Sequence, residues 1–343
     1  MPDAEPPALR DILVRMVGSS EAEALLTTVE LPPAVRTSAV ACRAVLAAAL
    51  ALILFRGLLE RVPQGRDYVD DQRKVGRRIV FDHGALRTVA CPCGALPAGR
   101  AAFARLLEPL GYRRTVVYPL ERISMSGHVY TQMDFPEDLP QYFVSELHPE
   151  RFSPDFRAAV SRVVGGSRDP LHSQAAGHLV ELAWSGHLPH REAASLVEDL
   201  GACFERQHDV PREGDYELLL AESAEMAWIA TEGNAFNHAT DRVPDLGRLA
   251  EEQRRRGRTV KERIEVSASG RIRQTALRAA PVKRAFRRPD GSTVMRTVPG
   301  SFFEFISRTA YFDAADGRTK LDLGFDSANA QGIFRMTSTA GKE

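Results

Sequence analysis

Cysteine is scarce in this chain. There are four in 343 residues, Cys42, Cys91, Cys93 and Cys203, too few for a disulfide scaffold at this size. Net charge is missing too: 45 basic side chains balance 45 acidic ones. That excludes a protein that works on nucleic acid or on a membrane surface through bulk charge. Long apolar runs are absent. The stretch Ala44 to Phe55, bounded by Arg43 and Arg56, falls well short of the roughly 20 residues that span a bilayer, and its alanine and leucine content suits a buried helix. No secretory signal is visible, because the opening Met1-Pro2-Asp3-Ala4-Glu5 is acidic and polar. A reducing cytoplasm is the expected compartment. Cys91-Pro92-Cys93 has no second cysteine pair to complete a metal site and reads as structural. With 44% hydrophobic and 26% charged residues, the chain can build an ordinary globular core.

What is present centres on Phe81-Asp82-His83-Gly84-Ala85-Leu86-Arg87-Thr88-Val89, preceded by Arg77-Arg78-Ile79-Val80. The alternation is that of a strand. Successive side chains on a strand point to opposite faces, so Ile79, Phe81, His83, Ala85, Arg87 and Val89 are expected to share one face. A histidine and an arginine on an apolar face are costly to bury without partners. A metal for His83 and an acid group for Arg87 would satisfy both. Their Cα atoms would lie roughly 13 Å apart, a span that a small dicarboxylate met partway by the arginine can bridge. The plainer reading is a core histidine bonded to a carbonyl and an arginine reaching the surface.

Taken in order, residues 1–76 read as a helical region, with Leu9 to Val17 amphipathic and Pro32-Pro33 a break. Residues 77–149 read as strand, helix, strand, strand, strand. Ala98 to Leu110 carries the helical spacing before Gly111, and strands fall over Arg114 to Leu120, His128 to Phe135 and Tyr142 to Leu147. Residues 150–232 carry helical periodicity throughout and form a helical insertion. The first order then returns over 233–310: a strand from Asn234 to Val243 with Asn234, Phe236, His238 and Thr240 on one face, a helix from Pro244 to Arg256, strands at Ile264 to Val266 and Arg271 to Lys283, a turn at Asp290-Gly291, and a last strand from Ser301 to Arg308. Residues 311–343 follow as a C-terminal segment. This is an internal duplication. Each copy opens with a strand bearing a histidine, His83 or His238, and each closes with a strand bearing an acid, Glu146 or Glu304, at closely similar separations.

Glu304 shares its strand face with Phe302, Ile306 and Arg308, an acid on an apolar face. Two histidines and one carboxylate with positions left open are the donors of non-haem iron(II) oxygenases, and zinc fits the same residue types. His172, His178, His187 and His190, in the insertion, share no helix face and have no acid placed to complete a site, so they read as solvated helix ends and loops. His128, His148 and His208 carry no ligand context.

Several segments resemble, in order, the 2-oxoadipate dioxygenase/decarboxylase family, also called D-2-hydroxyglutarate synthases, of the vicinal oxygen chelate superfamily. They are Asp82-His83-Gly84-Ala85-Leu86-Arg87-Thr88, Phe143-Val144-Ser145-Glu146-Leu147, Asn237-His238 with Thr240, Glu304-Phe305 with Arg308, and Gly324-Phe325-Asp326-Ser327-Ala328-Asn329-Ala330. The chain is similar to the family's shorter branch, which includes plant proteins, from about residue 79 to 338. The resemblance implies an α+β fold of duplicated βαβββ modules in a curved, barrel-like sheet, and an Fe(II) centre. His83, His238 and Glu304 fall on the family's metal-ligand positions, and Arg87 on that of its substrate-carboxylate arginine. Arg308 is expected to hold a second carboxylate, to brace Glu304, or to lie on the outer surface. Gly324-Phe325 followed by Ile333-Phe334 is also similar to the end of 4-hydroxyphenylpyruvate dioxygenases, where a terminal helix covers the site; this implies that residues 311–343 form a C-terminal lid segment and that Phe325 stands against the substrate. The implied activity is oxidative decarboxylation and hydroxylation of a 2-oxo dicarboxylic acid, most simply 2-oxoadipate, by dioxygen, with no separate 2-oxoglutarate. The alternatives are another 2-oxo acid, a zinc or nickel isomerase or lyase of the same superfamily without oxygen chemistry, and a non-catalytic binding protein. No nucleic-acid or membrane partner is expected.

Overall fold

The computed structural model describes residues 6–315 and 317–326. The chain opens with helices α1 (Ala8–Val17), α2 (Ser19–Thr28) and α3 (Pro33–Thr37), a short strand β1 (Ala41–Cys42), and helices α4 (Arg43–Arg61) and α5 (Pro63–Lys74). The first repeat comprises β2 (Phe81–Val89), α6 (Ala101–Leu107), β3 (Tyr112–Leu120), β4 (Met125–Gln132) and β5 (Gln141–Leu147). Next come α7 (Pro154–Val164), α8 (Ser173–Ser185), β6 (His187–Leu188), α9 (His190–Ala202), α10 (Glu213–Glu222) and α11 (Ala224–Glu232). The second repeat comprises β7 (His238–Arg242), α12 (Leu246–Arg255), β8 (Glu265–Val266), β9 (Ile272–Ala276), a hairpin of β10 (Pro281–Arg287) and β11 (Thr293–Pro299), and β12 (Phe302–Arg308). A small ribbon of β13 (Ala310–Asp313) and β14 (Arg318–Leu321) precedes the last described residues. No helix among the described residues is long and apolar enough to cross a membrane.

The two repeats join into one curled eight-stranded sheet of order β3-β4-β5-β2-β7-β12-β9-β8. The halves mirror each other. β2 pairs parallel with β5 as β7 pairs parallel with β12, and β2 meets β7 antiparallel at the centre. The register fixes a local two-fold axis: His83 lies opposite Thr240 and Ala85 opposite His238. The axis therefore exchanges His83 with His238, and Ala85 with Thr240. Phe143 is paired to Ala85 and Glu304 to Thr240, so Phe143 occupies in the first repeat the place of Glu304 in the second.

That register corrects the expected match of Glu146 with Glu304. Glu146 lies opposite Thr88 and faces away from the axis, where its Oε1 accepts from the backbone N–H of Arg100 at 2.8 Å at the start of α6 and its Oε2 lies 3.3 Å from His128 Nε2. Similar separations along the chain concealed different strand registers.

One face of the sheet rests on the N-terminal helices. The alanine- and leucine-rich α4 is buried along most of its length, and its Phe55 packs on Phe81 at 5.2 Å and Phe303 at 6.2 Å between ring centroids. Tyr68 of α5 meets Phe305 edge-on at 4.7 Å and donates its hydroxyl to Asp241 at 2.6 Å. The opposite face carries His83, Ala85 and Arg87. Phe81 and Ile79 do not share it, contrary to strict alternation: both join the core against α4. The register between β2 and β7 shifts between Phe81 and His83. Such a bulge puts two residues against one and resets the facing of the residues after it. Gly84, on the α4 side, has room for no side chain, since a Cβ there would lie 1.7 Å from the Phe236 ring.

The second opening strand starts later than its sequence pattern suggests, at His238. Phe236 instead packs against Phe81 and Tyr142, on the layer away from His238. The stretch expected to be one strand from Arg271 to Lys283 splits into β9, inside the sheet, and β10, whose hairpin with β11 leaves it. Arg284 of that hairpin forks onto Glu232 of α11 with bonds of 2.7 and 2.6 Å, tying the second repeat to the insertion.

A candidate metal centre in the curl of the sheet

Three strands deliver the three predicted ligands to one point. His83 comes from β2, His238 from the first position of β7, and Glu304 from the middle of β12. All are buried, and one donor atom from each falls within 4.8 Å of the others. Glu304 Oε2 lies 3.2 Å from His83 Nε2 and 3.0 Å from His238 Nε2. It also accepts a bond of 2.8 Å from the Thr240 hydroxyl. Its second oxygen, Oε1, is buried with no hydrogen-bond partner among the described residues. A buried carboxylate oxygen left so is costly, and a cation between the two imidazoles and the carboxylate satisfies it. The donor set and the geometry therefore fit a divalent metal.

The residue before each histidine sets its ring. Asp82 Oδ1 sits 2.7 Å from His83 Nδ1, and Asn237 Oδ1 sits 3.2 Å from His238 Nδ1. Each acceptor takes the Nδ1 proton and leaves Nε2 as the free lone pair, the usual arrangement around metal-bound histidine. Burial alone would push the Glu304 carboxyl up, but His238 and His83 beside it outweigh that and hold it at about 2. Burial also opposes charge on His83, yet Asp82 and Glu304 raise it above its ordinary value. His238 is lowered by burial and by the charges of His83 and Arg87, against the pull of Glu304. Without metal, His83 thus tends to carry the proton that compensates Glu304.

Arg308 does not brace Glu304, nor does it line the cavity. Its side chain is fully buried behind His83, where Nε and Nη2 fork onto Asp82 at 2.8 to 3.1 Å and Nη1 donates to the carbonyls of Asp322 and Gly324 at 2.8 and 2.7 Å. Its place is to fix Asp82 and, through it, His83.

A cavity opens beside the three ligands, lined also by Ala85, Leu86, Arg87, Phe143, Ser145, Asn237, Gln274, Phe325 and Asp326. Phe325 stands edge-on to His83 at 4.8 Å, with its backbone N–H bonded to the Tyr118 hydroxyl at 2.9 Å. Ser327 to Ala330 and the Ile333-Phe334 pair lie outside the described residues. Arg87 is 1% exposed, with its guanidinium 4.9 Å above the Trp228 ring of α11. Burial lowers its pKa to about 10, against the attraction of Glu225, so it stays charged at neutral pH. Trp228 is itself pinned by a bond of 3.1 Å from Nε1 to the Gly300 carbonyl.

Sequence reasoning did not assign roles to Asp82, Asn237, Phe143 or Trp228. The adjacency of Asp82 to His83 and of Asn237 to His238 was the available signal for the first two. The histidines of the insertion form no site: His172 accepts from the Ala175 N–H at the start of α8, and His190 bonds Asp11 and the Ala39 carbonyl.

Comparison with known proteins places the chain. The family model described as 2-oxoadipate dioxygenase/decarboxylase matches residues 56–332. The chain belongs to that family. A crystal structure of a putative glyoxalase superfamily protein from Ralstonia eutropha JMP134 is 52% identical, with a TM-score of 0.89 over 94% of this chain and 99% of that one. The hydroxyglutarate synthase of Oryza sativa, solved in complex with 2-oxoadipate, shares the fold at 19% identity, with a TM-score of 0.66 over 91% of this chain and 96% of that one. The hydroxyglutarate synthase of Pseudomonas putida, likewise solved with 2-oxoadipate, gives a TM-score of 0.56 at 19% identity over 86% and 72% of the two chains. A search of curated proteins gave no match.

Proposed function

We propose that this member of the family is an Fe(II)-dependent dioxygenase that converts 2-oxoadipate and dioxygen to 2-hydroxyglutarate and carbon dioxide. The single observation that carries the reading is the half-symmetric centre: the axis that doubles the histidine does not double the carboxylate, because Phe143 stands where a second acid would. Three protein ligands leave positions for a chelating 2-oxo acid and for dioxygen.

His83, His238 and Glu304 would hold the iron through Nε2, Nε2 and the carboxylate. Bound there, iron(II) supplies the redox centre at which a 2-oxo acid and dioxygen react. Asp82 and Asn237 keep both imidazoles in the Nε2-ligating tautomer, and Arg308 holds Asp82. Arg87 offers a buried, planar, charged fork to a substrate carboxylate. Phe143, Phe325, Ala85 and Leu86 make the cavity wall apolar and displace water, which strengthens charge pairing inside. The free thiols of Cys42, Cys91, Cys93 and Cys203 support a reducing, cytoplasmic setting.

Anaerobic loading with Fe(II), followed by 2-oxoadipate and oxygen, tests the proposal with an oxygen electrode and product analysis. Oxygen uptake matched by equal 2-hydroxyglutarate and carbon dioxide is expected. Conversion of substrate without oxygen uptake would show an isomerase or lyase instead.

A further inference from the structure

The axis that relates the two histidines also relates Asp82 to Asn237, and there the two sides of the centre part. Asp82 is closed off, its oxygens shared between His83 and Arg308, while Phe325 covers the His83 ring from the cavity side. Asn237 is the opposite case. It is 2% exposed and lines the cavity. Its backbone is committed, the N–H to Ala85 and the carbonyl to Phe302. Its side-chain oxygen must be the atom facing His238 Nδ1, because a histidine that ligates through Nε2 carries its proton on Nδ1. The amide NH₂ is thereby turned away from the ring. It is buried and has no hydrogen-bond partner among the described residues.

A fixed, buried, unmatched donor in a cavity wall is costly unless a ligand meets it. Arg87 lies on the same side of the centre: it is two residues past Ala85, the partner of His238 across β2 and β7. We infer that Asn237 Nδ2 donates to the head-group oxygens of the bound 2-oxo acid, and that the acid sits on the His238 side of the metal rather than the His83 side. The identity of the acid rests on the function proposed above. The donor role does not, since oxalate presents the same chelating pair of oxygens, with a carboxylate in place of the ketone and no side chain.

The test measures binding apart from turnover. Protein loaded anaerobically with Fe(II) is titrated with oxalate and with 2-oxoadipate by calorimetry, parent against Asn237→Asp. The variant keeps an acceptor for His238 Nδ1 and replaces the donor by a carboxylate oxygen. Full metal content with about a ten- to hundredfold loss of oxalate affinity is expected, the scale of one hydrogen bond to a charged group. A purely structural role would lower metal content or melting temperature and leave the affinity of the metal-loaded fraction alone. Full metal with oxalate affinity unchanged overturns the inference. Should Asn237→Asp fail to fold, Asn237→Ser, which lacks the amide donor, carries the same expectation, and unchanged oxalate affinity there overturns it equally. If the parent binds oxalate in an Asn237-dependent way yet does not convert 2-oxoadipate, the donor role stands and the proposed substrate falls. A metal-loaded parent that binds neither acid overturns both.

Discussion

Replacing Arg87 by alanine asks whether the cavity was built for a carboxylate. The guanidinium is buried, charged at neutral pH, and set above Trp228 on the same strand face as His83. It is no metal ligand, since it has no lone pair to offer. Its removal should leave metal content intact. A substrate carboxylate that enters the cavity then loses its buried counter-charge, and truncating one partner of such a pair costs about 3 kcal/mol or more. In kcat/KM that is a loss of about a hundredfold to a thousandfold. Arg87→Lys should recover only part, because an ammonium cannot make the two-pronged contact. Steady-state oxygen consumption with 2-oxoadipate and with a 2-oxo acid lacking the distal carboxylate locates the contact. A loss confined to 2-oxoadipate puts Arg87 at the distal end, and equal losses put it at the 2-oxo acid end. Kinetics of Arg87→Ala indistinguishable from the parent would remove this residue from the site and refute the reasoning.

Glu304→Ala should lose bound metal and turnover while keeping the far-ultraviolet circular dichroism of the folded parent; retention of both metal and turnover would show that Glu304 is no ligand. Metal uptake should fall as pH drops and should release protons at pH 6.5, the ordinary histidine value, because His83 is raised above it in the metal-free site and must give up its proton to ligate; calorimetry in buffers of different ionisation enthalpy would count them, and zero release at pH 6.5 would contradict the assignment. In the metal-free protein the same raised histidine stabilises the fold at low pH and the contribution fades as pH rises through its folded pKa, whereas the lowered Glu304 stabilises above its ordinary pKa and the contribution is lost as pH falls toward about 2. Chemical denaturation across pH, with and without metal, would show whether bound metal removes the first of these dependences.

Much of this is legible in the residues. Strand, helix and three strands recur twice, and His83, His238 and Glu304 each stand out as polar groups on apolar strand faces. The hidden part depends on register. The bulge between Phe81 and His83 breaks alternation without leaving a mark in composition, so alternation alone puts Phe81 on the wrong layer. Spacing along the chain offers Glu146 as the counterpart of Glu304, but pairing across β2 and β5 puts Phe143 there. Arg308 lies on the strand of Glu304, which suggests a place at the substrate; its length lets it reach behind to Asp82 instead. The hairpin of β10 and β11 interrupts the second repeat with residues as strand-like as the rest, and only hydrogen bonding separates it from the main sheet.

The exchange of Glu304 for Phe143 across the axis has a consequence of parity. A metal bound on a two-fold axis between identical halves receives its protein ligands in pairs, two or four. Three is out of reach for two copies of one module with one sequence. Joining the modules in a single chain lifts that constraint, since each half can then mutate alone. An odd number of ligands, with the vacancy it would leave for the proposed chelating substrate, is thus open to this fold because it is covalently double and internally unequal.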